Sequence, residues 1–451
     1  MKKLTSKKQL ILYGCSGMGV NMLTLIVGTY LTSALLVGGF EDNVESWTYL
    51  NKDLVIAGIW SVLYFCAKAL DGIIDLPMAF FTDRINNKFG RRKTGLLIGL
   101  IPMIIAFVLF LVPLNDSATV LNTIWFGVLI CIFYTFYTLT MLTFYATFPE
   151  VCENEKDTVF LSNVKSVCDV VYFILGYALL PVFVGLGMNI RIVALIFLPL
   201  VLTMLIPFFL LKENPNEESE EETLKKSNKH VTVKEAFNAS FKNPSFIYWM
   251  FTAFVMTIGT QLFLGGINEL FSSSGLNMTV VMASSFVPVP FTIILYNKIV
   301  KKKGLGFAYR YILLIFSIGM VIMNLCNLYS DELSQTLLTV IAIAGGIFVS
   351  FSIGAFFSVT YTVPSHLACV EMEKTGKEVA SMYFAVQGIF EGIASGVASG
   401  LILVYLKAND VILLLPIIVA ITSLVAFMMS FAFHKNIAFM GKEGKESVEA
   451  K

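Results

Sequence analysis

The chain reads as long apolar runs separated by short polar clusters. Twelve runs, near residues 10–38, 53–82, 94–113, 120–148, 159–186, 190–211, 245–268, 277–297, 309–329, 336–362, 378–406 and 411–434, reach the roughly 20 apolar residues that carry a helix across a bilayer. Several are longer than a straight crossing needs, which permits tilt or bending without fixing an angle. Only one polar stretch is long, 212–243 with its EESEEETLKKSNKH, and it parts the twelve runs six and six as a cytoplasmic linker would. The pattern predicts an all-α membrane protein of twelve transmembrane helices in two six-helix bundles, with bundles at 1–211 and 244–436 and a cytoplasmic tail at 437–451. The apolar stretch behind MKKLTSKKQL is too long for a cleaved signal and is taken as the first span.

Orientation follows from lysine and arginine. With the N-terminus in the cytoplasm, alternate connections on that side hold 27 of them, against 3 outside: Lys52, Arg191 and Lys407. That asymmetry predicts both termini cytoplasmic in a cell (plasma) membrane. Lys68 and Lys165 fall inside spans.

A short repeat supports the division into halves. DRINNKFG after the second span, from Asp83, and NKIVKKKG after the eighth, from Asn297, share an acid or amide, a base, an isoleucine, a lysine five positions on and a glycine seven on, 214 residues apart. Parallel repeats of a transporter place such matches in equivalent loops.

Composition narrows the function. Of 451 residues 57% are hydrophobic and 14% charged, and the net charge of +1 offers no field to attract nucleic acid. The seven cysteines are scattered and imply no disulfide framework, and the three histidines are too far apart for metal-ligand spacing. No glycine-rich phosphate loop, nucleophile with its base, or cofactor motif stands in the sequence, so an enzyme, an ATP-driven pump or a resident cofactor is not expected.

Charge inside hydrocarbon costs about 2.5–3.5 kcal/mol on insertion scales and is a functional hypothesis by default. KALDGIIDLP in the second span sets Lys68, Asp71 and Asp75 on one helical face, with Asp71 a rise of roughly 18 Å from Asp83 and so near the bilayer centre. Paired carboxylates suit a hard cation or a shared proton. The positions 214 residues later are Ser285 and Val289, so the acids are not a general requirement of the fold. In the fifth span Lys165 and Asp169 stand four apart, either as a self-neutralising pair or as ligand groups, and Glu391 is a second candidate partner for Lys165. The eleventh span carries the polar stripe Tyr383, Gln387, Glu391, Ser395, Ser399 beside Gly388, Gly392, Gly396 and Gly400, glycines expected to serve close helix packing. Tyr134, Thr138 and Tyr145 share a face of the fourth span, and Gly14, Gly17 and Asn21 make a small, polar face on the first that could approach the second.

Three stretches carry a family resemblance. YGCSGMGVN in the first span, K-x2-D-x3-D-x-P followed by TDRINNKFGRRK around the second, and YATFPEV with KDTVFLSNVKS leading into the fifth resemble the glycoside-pentoside-hexuronide:cation symporters, the melibiose-permease group of the major facilitator superfamily. The resemblance implies the major facilitator fold and uptake of sugar coupled to Na+, H+ or Li+. It puts the cation on Asp71 and Asp75 with the Thr138 hydroxyl, Lys68 at the family's basic position, Tyr145 at a sugar-contacting aromatic and Lys165 at a basic residue of the fifth helix. Asn21 and Met141 stand where melibiose-type members have sugar-binding acids, Ile74 replaces a polar neighbour of the acid pair, and Glu391 lies near a usual lysine.

The expectation is thus a monomeric secondary transporter that moves a sugar or glycoside with Na+ or H+ by alternating access. Asp71, Asp75 and Thr138 are candidates for the cation, and Asn21, Lys68, Tyr145, Lys165, Asp169, Gln387 and Glu391 for the solute. Asp83, Arg84, Gly90, Arg91 and Arg92 are candidates for a cytoplasmic gate. The partners expected are a small solute and membrane lipid. A lipid or lysolipid carrier of the same fold, and a sensor that binds solute without moving it, are the alternatives.

Overall fold

The computed structural model describes residues 3–4, 6–41, 43–84, 90–152, 155–211, 241–273, 276, 278–330, 332–375 and 380–442, so the linker expected at 212–243 lies outside the described residues but for its last three positions. Within them, twelve helices are long and apolar enough to cross a membrane. In the first half α1 is Lys7–Leu35, α2 Ala57–Arg84, α3 Arg91–Phe110, α4 Val120–Ala146 and α6 Ile190–Leu210. Between the last two, α5 begins as Glu155–Ile174 and continues through a wide turn at Leu175–Leu179 into Leu180–Gly185. In the second half α7 is Pro244–Ser273, α8 Met278–Phe286 with Val289–Lys303, α9 Leu305–Leu328, α10 Gln335–Thr375 and α12 Ile412–Ala432. There α11 runs as Ala380–Ser395, a wide-turned Gly396–Leu403, and Val404–Ala408. Large apolar side chains such as Leu186, Phe209 and Phe291 stand outward, as a chain dissolved in lipid requires.

Two compact units result, Met1–His230 with Ser395–Asp410, and Val231–Ala394 with Val411–Lys451. Their internal packing repeats. In the first, α2 and α3 both pack on α4; in the second, α8 and α9 both pack on α10. Lipid supplies no hydrophobic drive between helices, so close van der Waals approach at small residues holds them. Gly99 of α3 meets the Thr140 backbone of α4, and Gly319 of α9 meets Gly345 of α10. An added methyl would overlap the partner at each of these crossings.

The loop repeat has a backbone counterpart. Gly90 has φ 95 and ψ 149, Gly304 has φ 89 and ψ 162, and each immediately precedes a helix, α3 and α9. A side chain rarely adopts that conformation, so the shared glycine of DRINNKFG and NKIVKKKG is required by the same turn twice.

Two of the four α11 glycines, Gly396 and Gly400, do what packing predicts, within the first unit. The added Cβ of Gly396 would meet Phe65 of α2 at 2.9 Å, and that of Gly400 would meet the Phe65 backbone nitrogen at 2.5 Å. The Ser61 hydroxyl donates to the Gly400 carbonyl at 2.7 Å. Lys407, counted among the outside charges, is in fact 2% exposed. Its ammonium donates to the Ser33 carbonyl and hydroxyl, each at 2.7 Å, and lies 4.5 Å over the Phe40 ring. Those partners explain how a lysine is tolerated there.

Candidate functional site

The first unit holds a polar cluster strung along α4. At one end the Thr138 hydroxyl donates to Asp71 Oδ1 at 3.0 Å, joining α4 to α2. One turn back on each helix, the Lys68 ammonium lies 4.2 Å over the Tyr134 ring. Lys68 attracts Asp71 through space, and among the described residues the two form no ion pair. The expectation that Tyr134 and Thr138 share a face therefore holds with a division of labour: the ring takes the cation of α2 and the hydroxyl takes its carboxylate. Beside them Tyr64 donates to the Gly28 carbonyl at 3.0 Å, closing α2 against α1.

At the other end Lys165 is ion-paired with Asp169 on the same turn of α5. Its ammonium also lies 5.0 Å from the Tyr145 ring of α4. Asn21 of α1 spans the gap: its amide nitrogen donates to Asp169 Oδ1 at 3.2 Å, and its oxygen accepts from the Tyr137 hydroxyl at 3.2 Å. These contacts give the amide at position 21 a physical reason. A carboxylate at position 21 would face the Asp169 carboxylate, and like charges at hydrogen-bond distance repel; an amide presents a donor to the acid and an acceptor to the phenol. The small, polar face of α1 accordingly approaches α5 and α4 rather than α2. A side chain at Gly14 would press on Val164 at 2.8 Å, and one at Gly17 on Phe144 at 3.2 Å.

In the second unit the Gln387 amide is consumed. Its oxygen accepts from Trp249 Nε1 at 2.8 Å, while its nitrogen donates to the Thr360 carbonyl at 2.8 Å and to Glu391 Oε1 at 2.9 Å. Both amide hydrogens are used, so Gln387 holds Glu391 in place and has at most a lone pair to offer a solute. Tyr383, one turn earlier, accepts from Asn243 at 3.0 Å.

The remaining site residues are placed only in part. Asp75, Asp83, Arg84 and Arg91 lie on α2 and α3, and their side chains fall outside the described residues. Gly90 forms the turn described above, and Arg92 is buried. Two polar groups escaped the sequence reading. Tyr137 was hidden because its partner is 116 residues away. Glu269, fully buried beside the buried Asn268, falls one residue past an apolar run that was ended at 268. Since α7 in fact runs to Ser273, an acid in the run of residues 262–271 was the available signal.

A family model described as MFS/sugar transport protein matches residues 12–433. The chain belongs to that family. It is an integral, multi-pass membrane transporter of the major facilitator type, and both the family and the similar solved structures are transporters. The nucleoside transporter NupG superposes with a TM-score of 0.62 at 16% identity, covering 96% of this chain and 100% of that one. A POT family transporter in complex with a thioalcohol-conjugated peptide gives 0.63 at 12% identity, covering 95% and 97%. A bacterial homologue of the iron transporter ferroportin, in an inward-facing state, gives 0.59 at 12%, covering 94% and 98%. Identities this low speak for the fold and not for the cargo. None of the curated proteins matches.

Proposed function

We propose that this transporter carries a sugar or glycoside in symport with Na+ or H+ by alternating access, as a monomer in the plasma membrane with both termini cytoplasmic. The observation that carries the reading is the Thr138–Asp71 hydrogen bond at 3.0 Å inside two apolar helices. A carboxylate at that depth is costly unless something cationic visits it. A hard cation takes oxygen ligands, and the Thr138 oxygen keeps lone pairs while its O–H donates to Asp71; a proton would instead add to the carboxylate. Asp75, one turn further along α2, belongs to the same cation site in this reading, as the family resemblance implies.

The solute would meet the other end of α4, where Lys165, Asp169, Asn21 and Tyr145 supply a cation, an anion, an amide and an aromatic face. That set suits a hydroxyl-rich ring, which needs donors, acceptors and one flat apolar surface. Lys68 in the first unit is a further candidate for the solute, as in the second unit is Glu391, which Gln387 fixes, and Asp83, Arg84, Gly90, Arg91 and Arg92 would serve a cytoplasmic gate. The orientation rests on the 27-to-3 distribution of basic residues.

The test is uptake by the purified protein in proteoliposomes over a panel of glycosides, pentosides, uronides, nucleosides and lysolipids, with Na+ and pH gradients imposed separately. Accumulation of a glycoside, pentoside or uronide that follows one gradient supports the reading. Accumulation only of nucleosides or lysolipids overturns the sugar assignment, and binding without uptake makes the protein a sensor.

A further inference from the structure

Two thiols that play no part in the proposed transport lie against each other on the α1–α5 seam. Cys15 of α1 and Cys168 of α5 are 153 residues apart in sequence, and their Sγ atoms are 2.8 Å apart. The approach is set by the backbone. Gly14 has no side chain, so α5 closes on α1 until an added methyl would touch Val164 and Leu161. That brings the next residue, Cys15, onto Cys168. Two turns along the same seam Asn21 reaches Asp169, the residue after Cys168, so both helices are held in register on either side of the thiols. Cys168 is buried, while Cys15 retains partial exposure through which a small reagent can reach the pair.

We propose that Cys15 and Cys168 form an oxidisable dithiol, a modification site at which a hydroperoxide closes a disulfide between α1 and α5. A disulfide needs its sulfurs at about 2.05 Å, so closure asks for a movement of about 0.8 Å from the separation seen here. The chemistry balances without another reactant. One thiolate displaces an alcohol from the hydroperoxide and becomes a sulfenic acid; the second thiol attacks that sulfur, the S–S bond forms and water leaves. Two thiols and one hydroperoxide thus give a disulfide, an alcohol and water. The bond fixes the seam at the spacing where Asn21 meets Asp169. The inference does not rest on which solute is carried.

The experiment uses the full chain in liposomes treated with cumene hydroperoxide, then denatured, alkylated with N-ethylmaleimide and digested without reductant. The expected result is one linked peptide pair containing Cys15 and Cys168, released by dithiothreitol and absent from Cys15→Ser and Cys168→Ser. In detergent, the oxidised parent should melt a few degrees higher than the reduced protein, because a cross-link over a long loop restricts the unfolded chain. Neither serine variant should show that shift. Where a serine variant fails to fold, Cys15→Ala serves in its place. Recovery of both cysteines as alkylated thiols, or their separate oxidation to sulfinic or sulfonic acids, overturns the proposal.

Discussion

Helices α2 and α8 stand at equivalent places in the two repeats and have been furnished differently. Both pack on the fourth helix of their half, and both are followed by a glycine with φ near +90° that starts the next helix. Midway along, α2 has Lys68 and Asp71, the first over Tyr134 and the second bonded to Thr138. The position in α8 that answers Asp71 is Ser285, a buried hydroxyl that folds back onto the Val281 carbonyl of its own helix at 3.2 Å. What recurs between the repeats is what the fold needs, namely the packing partner and the turn. What does not recur is charge, and charge in lipid is retained only where it is used.

The largest expected effect tests that division directly. Asp71→Asn keeps the size of the side chain and the bond to Thr138 and removes the charge, so cation-driven accumulation in proteoliposomes should fall to the equilibrium level while solute exchange survives. Ser285→Ala, at the matching place in α8, should leave accumulation within about twofold, since a neutral hydroxyl bonded to its own helix is worth about 1 kcal/mol or less. Equal losses from both variants would end the claim that the two helices differ in kind.

The second unit has its own polar centre, closed rather than open. Gln387→Leu would leave the Trp249 N–H, the Thr360 carbonyl and one oxygen of Glu391 without their partner at once. Unsatisfied buried groups cost about 1–3 kcal/mol each, so a loss of about 3 kcal/mol in stability is expected, read as a lower melting temperature in detergent. A melting point equal to the parent's would show that the network is not holding the unit together.

The glycine turns come next. An alanine at φ near +90° is strained by roughly 1–2 kcal/mol, so Gly90→Ala and Gly304→Ala should both lower the melting temperature. At Gly304 the methyl would also lie 2.7 Å from the Ala438 carbonyl oxygen, so the drop for Gly304→Ala should exceed that from backbone strain alone. A melting temperature unchanged by either alanine would mean that the positive φ is not required at that turn.

How far all this was legible follows from the range of each interaction. The helices were readable because a bilayer sets one length, and Lys165 with Asp169 because four residues is one helical turn. The matching of DRINNKFG with NKIVKKKG was readable because the turn dictates its residues. Asn21 with Asp169, Tyr137 with Asn21, and Lys407 with Ser33 were not, since each joins residues more than a hundred positions apart and no local rule selects the partner. The resemblance marked Asn21 as a departure; only the neighbouring carboxylate explains why an amide belongs there.

A smaller effect separates the cations. Thr138→Val removes the hydroxyl and nearly preserves volume, so a Na+ site that uses its oxygen should lose about 1 kcal/mol, roughly fivefold in apparent Na+ affinity. A proton needs only Asp71. Stimulation of uptake by a pH gradient should therefore change by less than about twofold, and Na+ kinetics identical to the parent's would remove Thr138 from the cation site.

The smallest expected effect sharpens the comparison by asking what Tyr134 contributes beside Asp71. Its ring lies under the Lys68 ammonium at 4.2 Å, while its hydroxyl is buried against that of Tyr64. The two parts of one side chain thus make opposite predictions. Tyr134→Phe keeps the ring face and gives up only a contact with Tyr64, whose hydroxyl keeps its bond to the Gly28 carbonyl, so uptake and melting temperature should stay near the parent's level. Tyr134→Leu keeps the bulk and loses the ring quadrupole, which at a desolvated ammonium is worth about 0.5–2 kcal/mol. Lys68 would then have to seek another neighbour, and the Asp71 carboxylate, with which it already interacts through space, is one such partner. A cation that competes for that carboxylate would be disfavoured, so Leu should weaken cation stimulation where Phe does not. If Phe and Leu behave alike, the ring is packing material and Lys68 is held by something other than its face.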